Sequence, residues 1–184
     1  SHFLTEEEQA SVLALSPKLK EMHQRHSIFY HTHPAPNNWN LILVGYHFDN
    51  SIYGAHYFEY GRPTDPEDAK VWGRRIEHQL LTYSPDTVLV SLTADADVIK
   101  TRMRQVPHSL SVLREEDIEY IQSQFEEEYK ASIIMNKLSL DTSTASLEDT
   151  MTEFVEKIQP YLSEVDLSRI IAYQSQHGNA DINH

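Results

Sequence analysis

Arg102 and Arg104 stand near the end of "LVSLTADADVIKTRMRQ" (89–105). The stretch opens as a short apolar run, breaks at Thr93 and continues as a helix. Guanidinium groups delivered in this way suit a phosphate, because phosphoryl transfer needs charge stabilisation more than covalent chemistry. Their plainer reading is a solvated helix end that complements the helix dipole. Arg114 shares both readings. Arg74 and Arg75 lie on another helical stretch, where one of them could hold an acceptor phosphate or both could simply face solvent. Asp49, at a strand-to-helix junction, could bind Mg²⁺ through water, act as a base, or cap the helix. His47 and Tyr53 beside it could shape an acceptor pocket or pack under a loop. Asp141, Thr142 and Ser143 follow an apolar run and read as a turn leading into a helix.

The histidines raise a second chemistry. His23 and His26 are three apart on a helix, and "HTHP" holds His31 and His33. Imidazoles so spaced can bind zinc. No His-Glu-x-x-His occurs, no carboxylate stands at a familiar offset, and no Gly-x-Ser-x-Gly elbow supports a Ser-His-Asp site. A polar helix face and loop is the expected role, and no metal ligand is assigned.

Positioning such groups requires elements. Thr5 and Glu8 form a capping box ahead of "EEEQASVL". Ser16 and Pro17 open a second helix. "PAPNN" (34–38) reads as loop. "WNLILVGY" (39–46), "DTVLVSL" (86–92) and "KLSLDTS" (137–143) are short apolar or β-rich runs that read as buried parallel strands. Asp49 or Ser51 is placed as the cap of a helix through "SIYGAHYFEY". "PEDAKVWGRRIEHQLLTYS" reads as a helix with Val71, Ile76, Leu80 and Leu81 on one face. "EEDIEYIQSQFEEEYKASII" places Ile118, Ile121, Phe125 and Tyr129 together, with "EEEY" as a solvated face. Ser146 caps a helix through "SLEDTMTEFVEKIQPYL", and "DLSRIIAYQ" adds a turn or two. The alternation predicts an α/β fold: a three-layer parallel sheet, with 40–45, 87–92 and 137–141 adjacent, flanked by helices. One domain over 1–173 and a flexible tail over 174–184 are expected. Ligands in such sheets sit beyond the carboxyl ends of the strands, here "GYHFDN", "TADAD" and "DTSTAS".

Composition narrows the partners. The chain has 184 residues, 28 acids against 15 bases, a net charge of −13 and no cysteine. Such a field opposes nucleic acid and anionic membrane, so neither is an expected partner. A small anionic ligand would need a local cluster of Arg or Lys. The absence of cysteine, of a membrane-length apolar run and of a signal-peptide pattern fits the cytoplasm.

"LILVGYHFDNSIYGAHYFEYG" resembles the strand, loop and helix of thymidylate kinase-like and deoxynucleoside kinase-like P-loop proteins. "DTVLVSLTADADVIKTRMRQ" is similar to their fourth strand and the helix entering an arginine-bearing lid. "LREEDIEYIQSQFEEEYKAS" is similar to the helix after that lid. "LSLDTSTASLEDTMTEFVEKI" is similar to the last strand, adenine-side loop and closing helix. The ordered set covers roughly 39–162. It implies a P-loop kinase-like fold and ATP- and Mg²⁺-dependent phosphoryl transfer to a nucleotide, nucleoside or other small acceptor. Arg102, Arg104 and Asp49 would be catalytic. His47, Tyr53, Arg74 and Arg114 would bind substrate, and Asp141, Thr142 and Ser143 would line the adenine side. The family's Gly-x-x-x-x-Gly-Lys-[Ser/Thr] loop and Asp-Arg pair do not occur: the five glycines include no Gly-Lys. The phosphate loop is expected to precede residue 1, and this chain by itself is expected to be inactive. The rival reading is a non-catalytic ligand-binding or interaction domain on the same scaffold; a His-metal hydrolase ranks below both. A homodimer is a compatible assembly.

Overall fold

The structure is a computed structural model that describes residues 4–32, 41–63, 65, 68–107 and 111–177, at 31, 32 and 177 by backbone alone. The "PAPNN" loop, His33, residues 108–110 and the end of the tail lie outside the described residues. The chain folds as two compact units, one of residues 1–87 with 94–135 and one of 88–93 with 136–184.

The first unit is helical. Helix α1 (Glu6–Leu13) starts at the expected capping box: the Thr5 hydroxyl accepts the Glu8 N–H, and Glu8 accepts the Thr5 N–H in return. It is followed by α2 (Pro17–Thr32), α3 (Tyr46–Tyr57), α4 (Ala69–Tyr83), α5 (Ala96–Gln105) and α6 (Ile118–Ala131). Asp68 caps α4 by accepting the N–H groups of Lys70 and Val71. Ile28, Phe48, Ile52, Ile76, Ile118, Ile121 and Ile134 form its apolar core. Each such side chain withdrawn from water contributes about 1.5–3 kcal/mol.

The second unit holds two strands, β1 (Leu89–Thr93) and β2 (Lys137–Asp141). They pair in parallel, Leu89 opposite Lys137 through Thr93 opposite Asp141. Helices α7 (Leu147–Ile158) and α8 (Glu164–His177) follow. Leu138 and Leu140 are its buried residues, on one face of β2. Tyr161 Oη donates to the Lys137 carbonyl at 2.9 Å and Lys157 Nζ to the Ser139 carbonyl at 2.7 Å, tying the end of α7 and the turn after it to β2.

The three-layer parallel sheet of a P-loop fold is therefore not what the chain forms. Two of the three expected strands pair as predicted. The third does not exist among residues 41–45, where Leu41, Ile42 and Val44 are 58%, 89% and 91% exposed. A continuous apolar run makes a buried strand only when both its faces are covered, and among the described residues nothing covers these. The backbone instead turns, with Tyr46 N–H donating to the Val44 carbonyl at 2.8 Å and Gly45 at φ +69°. Helix α3 consequently starts three residues before Asp49, so neither Asp49 nor Ser51 is its cap. Helix α8 is also longer than the turn or two expected, at 14 residues. Among the described residues no helix is long and apolar enough to cross a membrane.

Candidate functional site

Helices α3 and α4 bring the first group of predicted residues together. Gly73 allows their close approach: a Cβ there would lie 3.2 Å from His47 Cδ2. At that separation His47 Nε2 is 3.0 Å from Glu77 Oε1, and both residues are buried. Glu77 Oε2 accepts the Ile133 N–H at 3.0 Å and lies 3.2 Å from Arg74 Nη1. Arg74 Nη2 donates to Glu128 at 2.7 Å, and Lys70 Nζ is 3.1 Å from the other Glu128 oxygen. Burial works to raise the Glu77 pKa, but His47, the Ile133 N–H, Ser132 and Arg74 together hold it below its ordinary value. His47 and Arg74, expected to bind substrate, thus sit in a buried polar network that joins α3, α4 and α6. Glu128, expected on a solvated face, is a member of it because Arg74 and Lys70 reach it from α4.

A second group lies along another side of α3. Asp49 is half-buried, and burial raises its carboxyl pKa. Tyr53 is pushed up to about 12 by burial, with Asp49 and Tyr57 adding to it, and its ring meets Phe125 edge-on at 5.8 Å. Tyr57 Oη donates to Asp117 at 2.8 Å, and the Arg114 guanidinium lies 5.7 Å from the Tyr57 ring centroid. The structure therefore places Asp49, Tyr53 and Arg114 along one aromatic seam.

The remaining predicted residues lie elsewhere. Arg102 is exposed in the last turn of α5. Arg104 donates to Glu115 through both Nε and Nη2, a partner that raises its already high pKa. In the second unit, Thr142 N–H and Oγ1 both donate to the Thr93 carbonyl, at 2.8 and 3.0 Å. Ser143 donates to Asp141 Oδ1 from N–H and Oγ at 2.9 and 2.6 Å, which lowers the Asp141 pKa. These contacts form the expected turn at the carboxyl end of β2. His23 and His26 join no metal set: among the described residues no group of three His, Cys, Asp or Glu side chains is arranged to hold an ion.

An open cleft lies among the helices of the first unit. A cleft of about 300 Å³ is lined by Glu21 and Arg25 of α2, Asn50 of α3, Tyr60, Asp65 and Asp68 of the connecting loop, and α4 residues including Trp72 and Arg75. Its charges differ in how far they are committed. Arg25 donates to Glu21 Oε1 from Nε at 2.7 Å and from Nη2. Asp68 caps α4, and Asp65 accepts the Arg62 N–H at 3.0 Å. Among the described residues, Arg75 has no carboxylate partner. The Tyr60 hydroxyl is pushed up to about 12 by burial, with Glu21 adding to it, so it remains a neutral donor at physiological pH.

Sequence reasoning weighed the Arg74–Arg75 pair as one unit. The helix separates them: Arg74 faces Glu77 and Glu128, and the next residue, about 100° around α4, reaches the cleft. Arg25, Trp72 and Asn50 were not singled out. Their signal was available only as an Arg and a Trp on amphipathic helices, a pattern that surface and core residues share. No family model matches the chain, and neither a curated protein nor a solved structure matches it.

Proposed function

We propose that the chain binds a small phosphorylated ligand bearing a flat ring, a nucleotide in chemical kind, in the α2–α3–α4 cleft. Arg75 carries the proposal: in a chain of net charge −13, it is a guanidinium beside open space with no carboxylate partner among the described residues. Arg gives planar, bidentate recognition of phosphate. Trp72 and Tyr60 supply aromatic surface for the ring, and the Tyr60 hydroxyl supplies a donor. Arg25 adds a second guanidinium, already oriented by Glu21.

ATP- and Mg²⁺-dependent phosphoryl transfer, the activity that the resemblance to nucleotide and nucleoside kinases implies, would take this ligand as its acceptor, although none of Arg102, Arg104 and Asp49 lines the cleft. Binding in the cleft does not depend on that transfer. The test is calorimetry with a nucleoside 5′-monophosphate, the matching nucleoside and ribose 5-phosphate. The monophosphate is expected to bind, the nucleoside to bind at least about tenfold more weakly, as the loss of one charge-assisted contact implies, and Arg75→Glu to abolish the difference. Equal affinity for monophosphate and nucleoside, or an unaffected Arg75→Glu variant, would refute the proposal.

A further inference from the structure

The inner wall of the same cleft is rich in acceptors. Asn50 is 6% exposed and its Oδ1, closed to solvent, accepts no hydrogen bond among the described residues. Glu21 is 8% exposed. Its Oε1 is taken by Arg25, while Oε2 accepts no hydrogen bond and has only Lys18 Nζ at 3.7 Å. Buried acceptors left without donors are rare in folded proteins. Both residues line the cleft, so a bound ligand could supply the donors that these two atoms lack among the described residues. The amide torsion of Asn is broad and roughly two-fold, so Oδ1 can turn toward the cleft without backbone movement.

We infer that Asn50 and Glu21 select, within the cleft, a ring that presents two neighbouring N–H donor groups, the donor edge of guanine. The inference rests on the ligand-binding reading above and adds the identity of the base. The chemistry discriminates among rings. Guanine offers a ring N–H next to an exocyclic amino group, both donors. Hypoxanthine keeps the ring N–H and lacks the amino group. Adenine and cytosine place a ring acceptor beside their amino group, which would face the Glu21 carboxylate. Thymine has a single N–H between two carbonyl acceptors. A site with buried acceptors rejects an analogue that leaves them unpaired far more strongly than it rejects a change in apolar size.

Calorimetry on the full chain with the 5′-monophosphates of guanosine, inosine and adenosine, and with ribose 5-phosphate, tests this. Guanosine monophosphate is expected to bind on the order of 10–100-fold more tightly than the inosine and adenosine compounds, one to two hydrogen bonds to a buried acceptor. Asn50→Leu should bring guanosine monophosphate down to the adenosine level. It should leave ribose 5-phosphate binding unchanged and should not lower the melting temperature, since it removes an acceptor that has no partner in the free protein. Glu21→Gln should weaken guanosine monophosphate by more than it weakens ribose 5-phosphate, which senses Glu21 only through its pairing with Arg25. Equal binding of the three nucleotides, still sensitive to Arg75→Glu, would overturn the base assignment and leave the phosphate-binding reading standing. Absence of binding by every phosphorylated compound would overturn both. Because the nucleotide series is run on the unmodified chain, a variant that fails to fold does not remove the test.

Discussion

Glu77 is the residue on which most of the first unit's polar order converges. Its carboxylate is wholly buried and is met by His47, the Ile133 N–H, Ser132 and Arg74. Glu77→Ala would leave these groups without their acceptor. Breaking a buried charge pair from one side costs about 3–5 kcal/mol, so urea denaturation should show a loss of that order. A loss near zero would contradict the network's role. The sign with pH follows from the lowered pKa. A carboxyl held below its unfolded value contributes stability above that value, and the contribution is lost as pH falls through the folded pKa. Stability should therefore decline on acidification below the ordinary Glu range, about pH 4.3, and Glu77→Gln should flatten that limb in a pH series of thermal unfolding. Asp49 has the opposite sign, because burial raises its pKa. It favours the fold when protonated and opposes it as pH rises. Asp49→Asn should accordingly raise the melting temperature at pH 7 relative to the parent, and should do so less at pH 4. A lower melting temperature at pH 7 would show that the Asp49 carboxylate makes a stabilising contact that outweighs its burial.

At the scale of elements, the start of α3 and the strand pair are the informative places. Gly45 has φ +69°, and a Cβ there would lie 1.9 Å from Asp49 Oδ2. Gly45→Ala should cost about 1–3 kcal/mol, as sparsely populated backbone does for a residue with a Cβ, read as a shift in denaturation midpoint. The strands make a sharper contrast. Leu140 is 2% exposed and Leu92 is 67% exposed. Leu140→Ala should cost about 2–5 kcal/mol, while Leu92→Ala should fall within about 0.5 kcal/mol. Comparable losses would mean that both strands are covered on both faces, as the sequence reading assumed. That assumption shows where legibility ended. The caps at Thr5 and Ser146, the α6 face of Ile118 and Ile121, and the parallel runs at 89–93 and 137–141 depend on local spacing, which a sequence displays. Whether an apolar run finds a partner does not depend on spacing. Leu41–Val44 has the pattern of a strand without the neighbours among the described residues, and Glu128 has the pattern of a solvated face with Arg74 and Lys70 across from it. The cleft was the least legible part. Arg75 was weighed, but Arg25, Asn50 and Trp72 meet only through the packing of three helices.

For the whole molecule, the balance of −13 makes anion binding a local matter. The field slows the approach of any phosphate, and affinity then depends on a few guanidinium groups held beside aromatic surface. The 184 residues contain no Gly-rich phosphate loop, whose backbone N–H groups and Lys cradle a triphosphate in nucleotide kinases. ATP should therefore bind this chain with less than micromolar affinity and give no turnover; micromolar ATP binding by calorimetry would contradict that expectation. Trp72 offers the most direct probe of the central claim, since it lines the cleft and the chain's other tryptophan is Trp39. In a Trp39→Phe variant, Trp72 fluorescence should change saturably on titration with a nucleoside monophosphate, hardly at all with the nucleoside at the same concentrations, and not at all with either in the Arg75→Glu background. A flat titration, or one identical for nucleoside and monophosphate, would contradict the account.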